Sequence, residues 1–271
     1  MTINQRIYQY AAGTAAAHQI KDVRIGLGYT AVMIENGRTG LAATPKTHLH
    51  KGCTVFTGML PLIDKNADQL LALVNSDDPI ETAVGLATAN ALVNTPNADL
   101  DTGDVLTKIR VTSSDRVAMV GHFAPLVKPI RDTGAELNIF EQIAAPARGM
   151  HPSSEIPRKL PECTVCFLTA TSIINHSFDG LIGHARNCRE VILLGASTPL
   201  ITEIFADTPI TGLSGVIVTR TEELLHIVSA GGGMRRFKGV IEKVNRQLNP
   251  PEQSSVEKGN SAFVPPNPKM A

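Results

Sequence analysis

The chain carries no excess of either charge, because its 25 Lys and Arg residues are matched by 25 Asp and Glu residues among 271. A chain without a net positive field offers little attraction to a polyanion. We therefore expect neither nucleic acid nor an anionic membrane surface as a partner. The oligomeric state, a homo-oligomer included, is left open.

Long apolar runs are also missing, since no segment approaches the roughly 20 apolar residues that a membrane-spanning helix requires. Residues 1–20 contain a single Arg and no apolar core segment, which is not the pattern of a secretory signal peptide. Cysteine is scarce, with four in the chain, so reduced thiols are expected rather than a disulfide scaffold. Together these absences predict a soluble, cytoplasmic protein.

The second half of the sequence does contain a regular alternation of short apolar runs and helical segments. Strands are predicted at 117–120, 136–140, 164–169, 190–194 and 215–218, and helices at 125–132, 178–186, 199–206 and 219–229. Strands that alternate with helices of this length are typical of a parallel sheet with helices on both faces. The predicted fold class is therefore α/β.

The first half is organised differently. It begins with a helix, continues with a strand over 23–34 and turns tightly at Asn36-Gly37, the signal of a hairpin. A helix over 80–94 follows, capped by Asp77 or Asp78. That helix is so free of charge that most of its surface should be buried.

The polar, loop-rich stretch 97–115 is a plausible domain boundary. We expect a smaller α+β domain at 1–110, the parallel-sheet domain at 111–248 and a Pro-rich, disordered tail at 249–271.

Small polar residues gather where the predicted parallel strands end. The carboxyl ends of such strands face one crevice, and hydroxyls with exposed helix N-terminal amides suit an anionic or polar ligand there. The candidate ligand-binding residues at these ends are Gly121, His122, Phe123, Glu141, Thr169, Thr171, Ser172 and Thr198. For Thr198 a role as a helix N-cap is equally consistent.

Two residues of the apolar helix join the candidates. Asn90 would be a buried amide that needs hydrogen-bond partners. Together with Glu81 it either faces the crevice or ties the helix to a sheet.

Glu141 closes the second predicted parallel strand about 20 residues after Gly121, where nucleotide-binding sheets keep an acidic residue for ribose hydroxyls. The turn at Gly121 lacks the second and third glycines of the dinucleotide fingerprint, so NAD is not expected. A mononucleotide-like or nucleoside ligand and a merely solvated Glu141 are both left open. His122 is the candidate catalytic residue, because an imidazole pKa of about 6.5 suits proton transfer; a hydrogen-bonding role in the turn is the alternative.

His48, His50 and Cys53 supply two imidazoles and a thiolate, the donors that Zn, Ni or Cu prefer. These residues are the candidate ligands of a transition metal, although an exposed His-rich loop explains them as well. Cys163 and Cys166 have Cys-x-x-Cys spacing but enter a predicted buried strand, so we interpret them as core residues.

Gly231-Gly-Gly233 follows the last predicted helix and predicts a helix stop rather than a phosphate loop. The basic residues just after it, Arg235, Arg236 and Lys238, are interpreted as a small solvated cluster.

The order of several segments resembles a prokaryotic family of unknown function. The segments are Glu81-Thr-Ala-Val-Gly-Leu-Ala-Thr-Ala-Asn90, Val117-Ala-Met-Val-Gly-His-Phe123, Leu160-Pro-Glu-Cys163, Thr169-Ala-Thr-Ser172, Leu193-Leu-Gly-Ala-Ser-Thr-Pro-Leu200 and Leu213-Ser-Gly215. The family joins a domain similar to the enolase N-terminal domain to a Rossmann-like domain labelled "putative heavy-metal chelation". The resemblance implies a cleft between the two domains, lined by the turn at Gly121–Phe123 and the loops at Thr169–Ser172 and Thr198. The loop with His48, His50 and Cys53 does not match a pattern of that family.

Three functions fit these observations. The leading one is binding of a metal ion or a metal-bearing small molecule in the cleft. The second is an enzyme acting on a small polar or nucleotide-like substrate, with Glu141 holding a ribose and His122 moving a proton. The third is a non-catalytic partner subunit or regulator that uses the cleft as a sensor.

Overall fold

The computed structural model describes residues 1–45, 59–143, 145 and 149–248. The predicted metal ligands His48, His50 and Cys53 lie outside these ranges, as does the predicted tail at 249–271.

Strands and helices alternate along most of the described chain. The strands are β1 (Ile20–Ile25), β2 (Tyr29–Ile34), β3 (Thr39–Ala43), β4 (Asp101–Thr102), β5 (Arg116–Val120), β6 (Glu136–Glu141), β7 (Met150–Pro152), β8 (Val165–Thr169), β9 (Glu190–Leu194), β10 (Gly212–Val218) and β11 (Ile241–Gln247). The α-helices are α1 (Ile3–Ala15), α2 (Ala67–Leu71), α3 (Pro79–Val93), α4 (Ala124–Asp132), α5 (Ile156–Lys159), α6 (Thr171–Ile174), α7 (Phe178–Ile182) and α8 (Thr221–Ser229). Short 3-10 helices occupy Ala72–Asn75, Val105–Thr107, Ser153–Glu155, Leu160–Glu162, Gly183–Ala185 and Glu203–Phe205. No helix in the described ranges is both long and apolar enough to cross a bilayer.

The larger sheet has eight strands in the order β4-β11-β10-β9-β8-β5-β6-β7. From β10 to β7 every neighbouring pair is parallel, and β11 and β4 add an antiparallel edge. The predicted α/β fold with a largely parallel sheet is confirmed.

The smaller sheet is antiparallel, in the order β1-β2-β3. Its second hairpin turns at Asn36-Gly37 as predicted, with Gly37 at a φ of +83° that glycine adopts without strain. The single strand predicted over 23–34 is wrong, because Gly26-Leu27-Gly28 folds into a turn that separates β1 from β2 and is closed by the Gly26 N–H, which donates to the Tyr29 carbonyl at 2.9 Å. A Cβ at Gly26 would lie 2.2 Å from the carbonyl oxygen of Val228, so this turn rests directly on the end of α8.

Helix α3 packs across the smaller sheet with almost its whole surface buried, as its composition predicted. Asp78 caps it by accepting hydrogen bonds from the backbone N–H groups of Ile80 and Glu81. A Cβ at Gly40 of β3 would lie 2.1 Å from the Ala87 carbonyl oxygen. Small residues therefore let the helix and the strand approach closely, which larger side chains would prevent.

The two faces of the large sheet bury different sets of side chains. Along β5, Ala118 and Val120 face a core shared with α1, α3 and α7, whereas Val117 and Met119 face a core shared with α4. Each large apolar side chain that is fully buried in this way stabilises the fold by roughly 1.5–3 kcal/mol. The N-terminal helices thus rest on the large sheet, and the domain boundary near residue 110 stays a prediction.

Two local predictions for the second half are wrong. The stretch 199–206 holds only the 3-10 turn Glu203–Phe205, because the Asn94 side chain binds the backbone of the preceding loop and accepts the N–H of Leu200 at 2.9 Å. Helix α8 begins at Thr221 rather than Thr219, whose N–H donates to the Val240 carbonyl at 2.9 Å.

Candidate functional site

A cavity of about 760 Å³ lies between the smaller sheet and the carboxyl edge of the large sheet. Cavities of this size hold small-molecule ligands in proteins. The first half of the chain lines it with Leu27, Gly28, Tyr29, Ala43, Thr44 and Pro45. The second half contributes Gln142, Thr171, Ile174, Asn175, Gly231 and Gly233.

The described lining contains no formally charged side chain. Its polar groups are the hydroxyls of Thr44 and Thr171, the phenol of Tyr29, and the carboxamides of Gln142 and Asn175. Burial raises the pKa of the Tyr29 phenol above its ordinary value, so it stays neutral at physiological pH. The cavity wall can therefore donate and accept hydrogen bonds without contributing charge.

The turn between β1 and β2 forms one wall. Tyr29 follows this turn and packs edge to face on Phe237, with ring centroids 5.1 Å apart. Leu27 at the tip of the turn is 79% exposed and lies against Gly231, where an added Cβ would come within 3.2 Å of its side chain. Residues far apart in sequence thus join at the rim of the cavity.

The loop after β8 forms another wall, and it gathers several predicted residues. The hydroxyl oxygens of Thr169 and Thr171 are 2.9 Å apart, and the Ser172 hydroxyl donates to the Thr169 carbonyl at 2.7 Å. Gly121, at a φ of +90°, lies beside them, because a Cβ there would be 2.9 Å from the Thr169 Cβ. Of this group Thr171 lines the cavity.

The Glu141 side chain contacts the backbone of His122. The His122 N–H donates to Glu141 Oε1 at 2.6 Å, so the carboxylate fixes the turn after β5. His122 is exposed, and Phe123 packs against the core beneath α4. His122, Phe123 and Glu141 are not among the residues that line the cavity, although Gln142, next to Glu141, is. Their predicted roles in ligand binding and catalysis stay predictions.

The remaining predicted ligand residues hold α3 in place. The buried Asn90 side chain donates to the Leu41 carbonyl at 2.8 Å and so ties the helix to β3. Thr198 is fully buried, and its carbonyl accepts from the Asn94 side chain at 3.0 Å. Glu81 accepts a hydrogen bond from the Ser76 hydroxyl. Asn90, Thr198 and Glu81 are not among the described residues that line the cavity.

The described cysteines are core residues, as predicted for Cys163 and Cys166. Burial raises the pKa of the Cys163 thiol to about 11, that of Cys188 to about 12 and that of Cys166 well above its usual range. Protonated thiols are poor metal ligands. Within the described ranges, no three His, Cys, Asp or Glu side chains are grouped to hold a metal ion.

The glycine run after α8 is a helix stop, as predicted. Gly231, at a φ of +73°, donates its N–H to the Val228 carbonyl, and Gly232 donates to the Ile227 carbonyl at 2.8 Å, the two bonds of a Schellman motif. The same run also brings Gly231 and Gly233 into the cavity wall, which the sequence interpretation missed. The triple glycine was the available signal.

Two family models match the chain, one over residues 8–93 and the other over 104–247. Both carry the description "Putative heavy-metal chelation". An uncharacterised protein of Methanocaldococcus jannaschii is 22% identical over 190 residues, which are 69% of this chain and 73% of that protein.

Two crystal structures of proteins of unknown function share the fold. The one from Pyrococcus horikoshii superposes with a TM-score of 0.80 at 21% identity, covering 91% of this chain and 100% of its own. The one from Desulfitobacterium hafniense has a TM-score of 0.75 at 21% identity, with 90% and 98% covered.

Proposed function

Because the chain belongs to the family described as "Putative heavy-metal chelation", whose model matches more than half of it, we propose that it binds a metal-bearing small molecule in the cavity between the two sheets. The observation that carries this proposal is a cavity of about 760 Å³ whose described lining is polar but uncharged. A neutral, hydrogen-bonding wall suits an organic ligand with polar groups.

The chemistry of the lining favours a metal chelate over a bare ion. A bare Zn²⁺, Ni²⁺ or Co²⁺ ion takes three or four imidazole, thiolate or carboxylate donors from a protein. The described cavity wall offers hydroxyls, carboxamides and backbone groups instead. Such groups can form hydrogen bonds to an organic molecule that already coordinates a metal. We therefore infer that the organic molecule, and not the protein, supplies the metal's inner coordination shell.

Native mass spectrometry of freshly purified protein, combined with elemental analysis, tests this proposal. We expect a non-covalent adduct heavier than any metal ion alone, with a transition metal in stoichiometric amount. On denaturation the metal should leave together with an organic molecule. A protein that carries a bare ion, or one that carries nothing and binds no metal chelate, would contradict the proposal.

A matched pair of variants tests whether the adduct lies in the cavity. Gly28 lines it, and a Cβ built there meets nothing within 4 Å, so Gly28→Leu adds a side chain at the wall without a backbone clash. Gly180 on α7 also has free space around a Cβ but lies outside the lining. We expect the adduct to decrease in Gly28→Leu and to persist in Gly180→Leu. Equal adduct in both variants would place the ligand elsewhere.

A further inference from the structure

We propose that the ligand of this cavity is an anion whose carboxylate or phosphate groups are bound by Arg235 and Arg236, with Lys238 adding to the local positive field. This assignment rests on the proposed function and specifies the chemical class of the ligand. The basic turn is defined here as residues 233–238.

The backbone holds the basic turn at the mouth of the cavity. Gly233 lines the cavity, and its carbonyl accepts the N–H of Arg236 at 2.7 Å, which closes a turn containing Arg235. The next residue, Phe237, is fully buried and packs on Tyr29, another residue of the lining. The backbone of both arginines is therefore held between Gly233, a residue of the lining, and Phe237, which packs on another. An extended Arg side chain is long enough to reach from there over the rim.

The charges of the basic turn are available to a ligand. Arg235, Arg236 and Lys238 are exposed, and among the described residues no carboxylate lies within ion-pair distance of them. Two basic residues elsewhere show the contrast, since Arg24 pairs with Asp22 at 2.7 Å and Arg220 pairs with Glu223 at 3.1 Å.

An uncompensated positive field beside an uncharged cavity concentrates anions there. The sequence as a whole is neutral, with 25 basic and 25 acidic residues, so the local excess is a property of this site. The planar guanidinium matches the two oxygens of a carboxylate or phosphate. Glu141, next to Gln142 of the lining, forms no ion pair with the basic turn; its carboxylate accepts the His122 N–H.

Isothermal titration with three anionic probes tests the assignment: citrate, its Ni²⁺ complex and inorganic phosphate, with glucose as a neutral probe. The test variant is Arg235→Gln/Arg236→Gln. The control is Arg131→Gln/Arg186→Gln, which removes the same charge from two exposed arginines that form no ion pair among the described residues and lie outside the lining. Circular dichroism verifies that both variants are folded.

We expect the wild-type protein and the control to bind at least one anionic probe and not glucose. The double variant at the basic turn should bind that probe about tenfold or more weakly, since it loses two charge-assisted contacts. Added salt should weaken wild-type binding more than binding by this variant. Preference for citrate or its complex identifies a carboxylate ligand, and preference for phosphate identifies a phosphorylated one.

Unchanged affinity in Arg235→Gln/Arg236→Gln, or binding of none of the three anions by the wild-type protein, overturns the anion assignment. So does release of a neutral molecule from the freshly purified protein. In each of these cases an adduct that is still reduced by Gly28→Leu leaves the proposed cavity site standing, whereas an adduct unaffected by Gly28→Leu removes the cavity site as well.

Discussion

Tyr29 of β2 and Phe237 of the loop after α8 meet edge to face, with ring centroids 5.1 Å apart and ring planes at 66°. Such pairs add to the stabilisation that each ring contributes through burial. Because Tyr29 lines the cavity and Phe237 belongs to the basic turn, this contact joins the two halves of the chain at the proposed site.

The first prediction is that Phe237→Ala destabilises the protein by about 3–5 kcal/mol, since Phe237 is fully buried and its loss leaves a void beside Tyr29. Denaturant unfolding measures the change. Tyr29→Phe is the control: it keeps the ring contact, and its free energy of unfolding should stay within about 0.5 kcal/mol of the wild type. A Phe237→Ala protein as stable as the control would show that the contact contributes little.

The second prediction compares the two glycines of one turn. Gly26→Ala places a Cβ 2.2 Å from the Val228 carbonyl oxygen, so the turn must move off α8, at a cost of about 1–3 kcal/mol. Gly28→Ala meets nothing within 4 Å and should be neutral. Thermal unfolding of both variants measures this difference, and equal melting temperatures would contradict the close approach of turn and helix.

The elements that the sequence predicted are those with a continuous local run of apolar residues, because such a run indicates burial. Strand β9 matches its predicted range of 190–194, because a buried parallel strand is apolar on both faces. Helix α3 was predicted from a cap at Asp77 or Asp78, of which the structure uses Asp78, and from its small apolar residues. Strand β11 was missed because its sequence is mostly polar and it is held by hydrogen bonds to β10 rather than by an apolar pattern.

The cavity was predicted only in part. Thr171 was expected at a strand end, where parallel topology places polar residues on one edge. The sequence did not predict the lining residues Gly28, Tyr29 and Gly233. Their position in the cavity wall depends on the contact between the β1–β2 turn and the end of α8, which lies roughly 200 residues later in the chain. The spacing of apolar residues within one segment does not predict such a long-range contact.

The third prediction concerns stability in acid. Burial alone would raise the pKa of Asp115, but hydrogen bonds from the Thr112 N–H at 2.8 Å, the Thr164 hydroxyl at 2.7 Å and the Arg189 guanidinium at 3.0 Å lower it to about 2. A carboxyl whose pKa is lower in the folded state stabilises the fold above its unfolded pKa of about 3.9, and this stabilisation is lost as the pH falls.

Between pH 4 and pH 2 the wild-type protein should therefore lose on the order of 2 kcal/mol through Asp115. Asp115→Asn removes the titrating group, so its unfolding free energy should be lower at pH 7 and fall less steeply below pH 4. Urea unfolding at several pH values measures both slopes, and parallel curves for the two proteins would exclude this role of Asp115.

The fourth prediction is that the core thiols are unreactive in the folded protein. Cys163, Cys166 and Cys188 are buried with raised pKa values, so little thiolate exists at pH 8. In a Cys53→Ser protein, dithionitrobenzoate should label no thiol until denaturant is added and should then label three. Rapid labelling under native conditions would contradict their burial.

The last prediction separates the two sources of metal binding. His48, His50 and Cys53 were predicted as ligands from residue type and spacing, and they lie outside the described residues. If the organic ligand carries the metal into the cavity, His48→Ala/His50→Ala/Cys53→Ser should keep the metal content of the wild-type protein, whereas Gly28→Leu should lose metal and organic molecule together. Elemental analysis of the two variants after identical purification measures this. Loss of metal from the triple variant, with the organic molecule retained, would instead assign the metal to those three side chains.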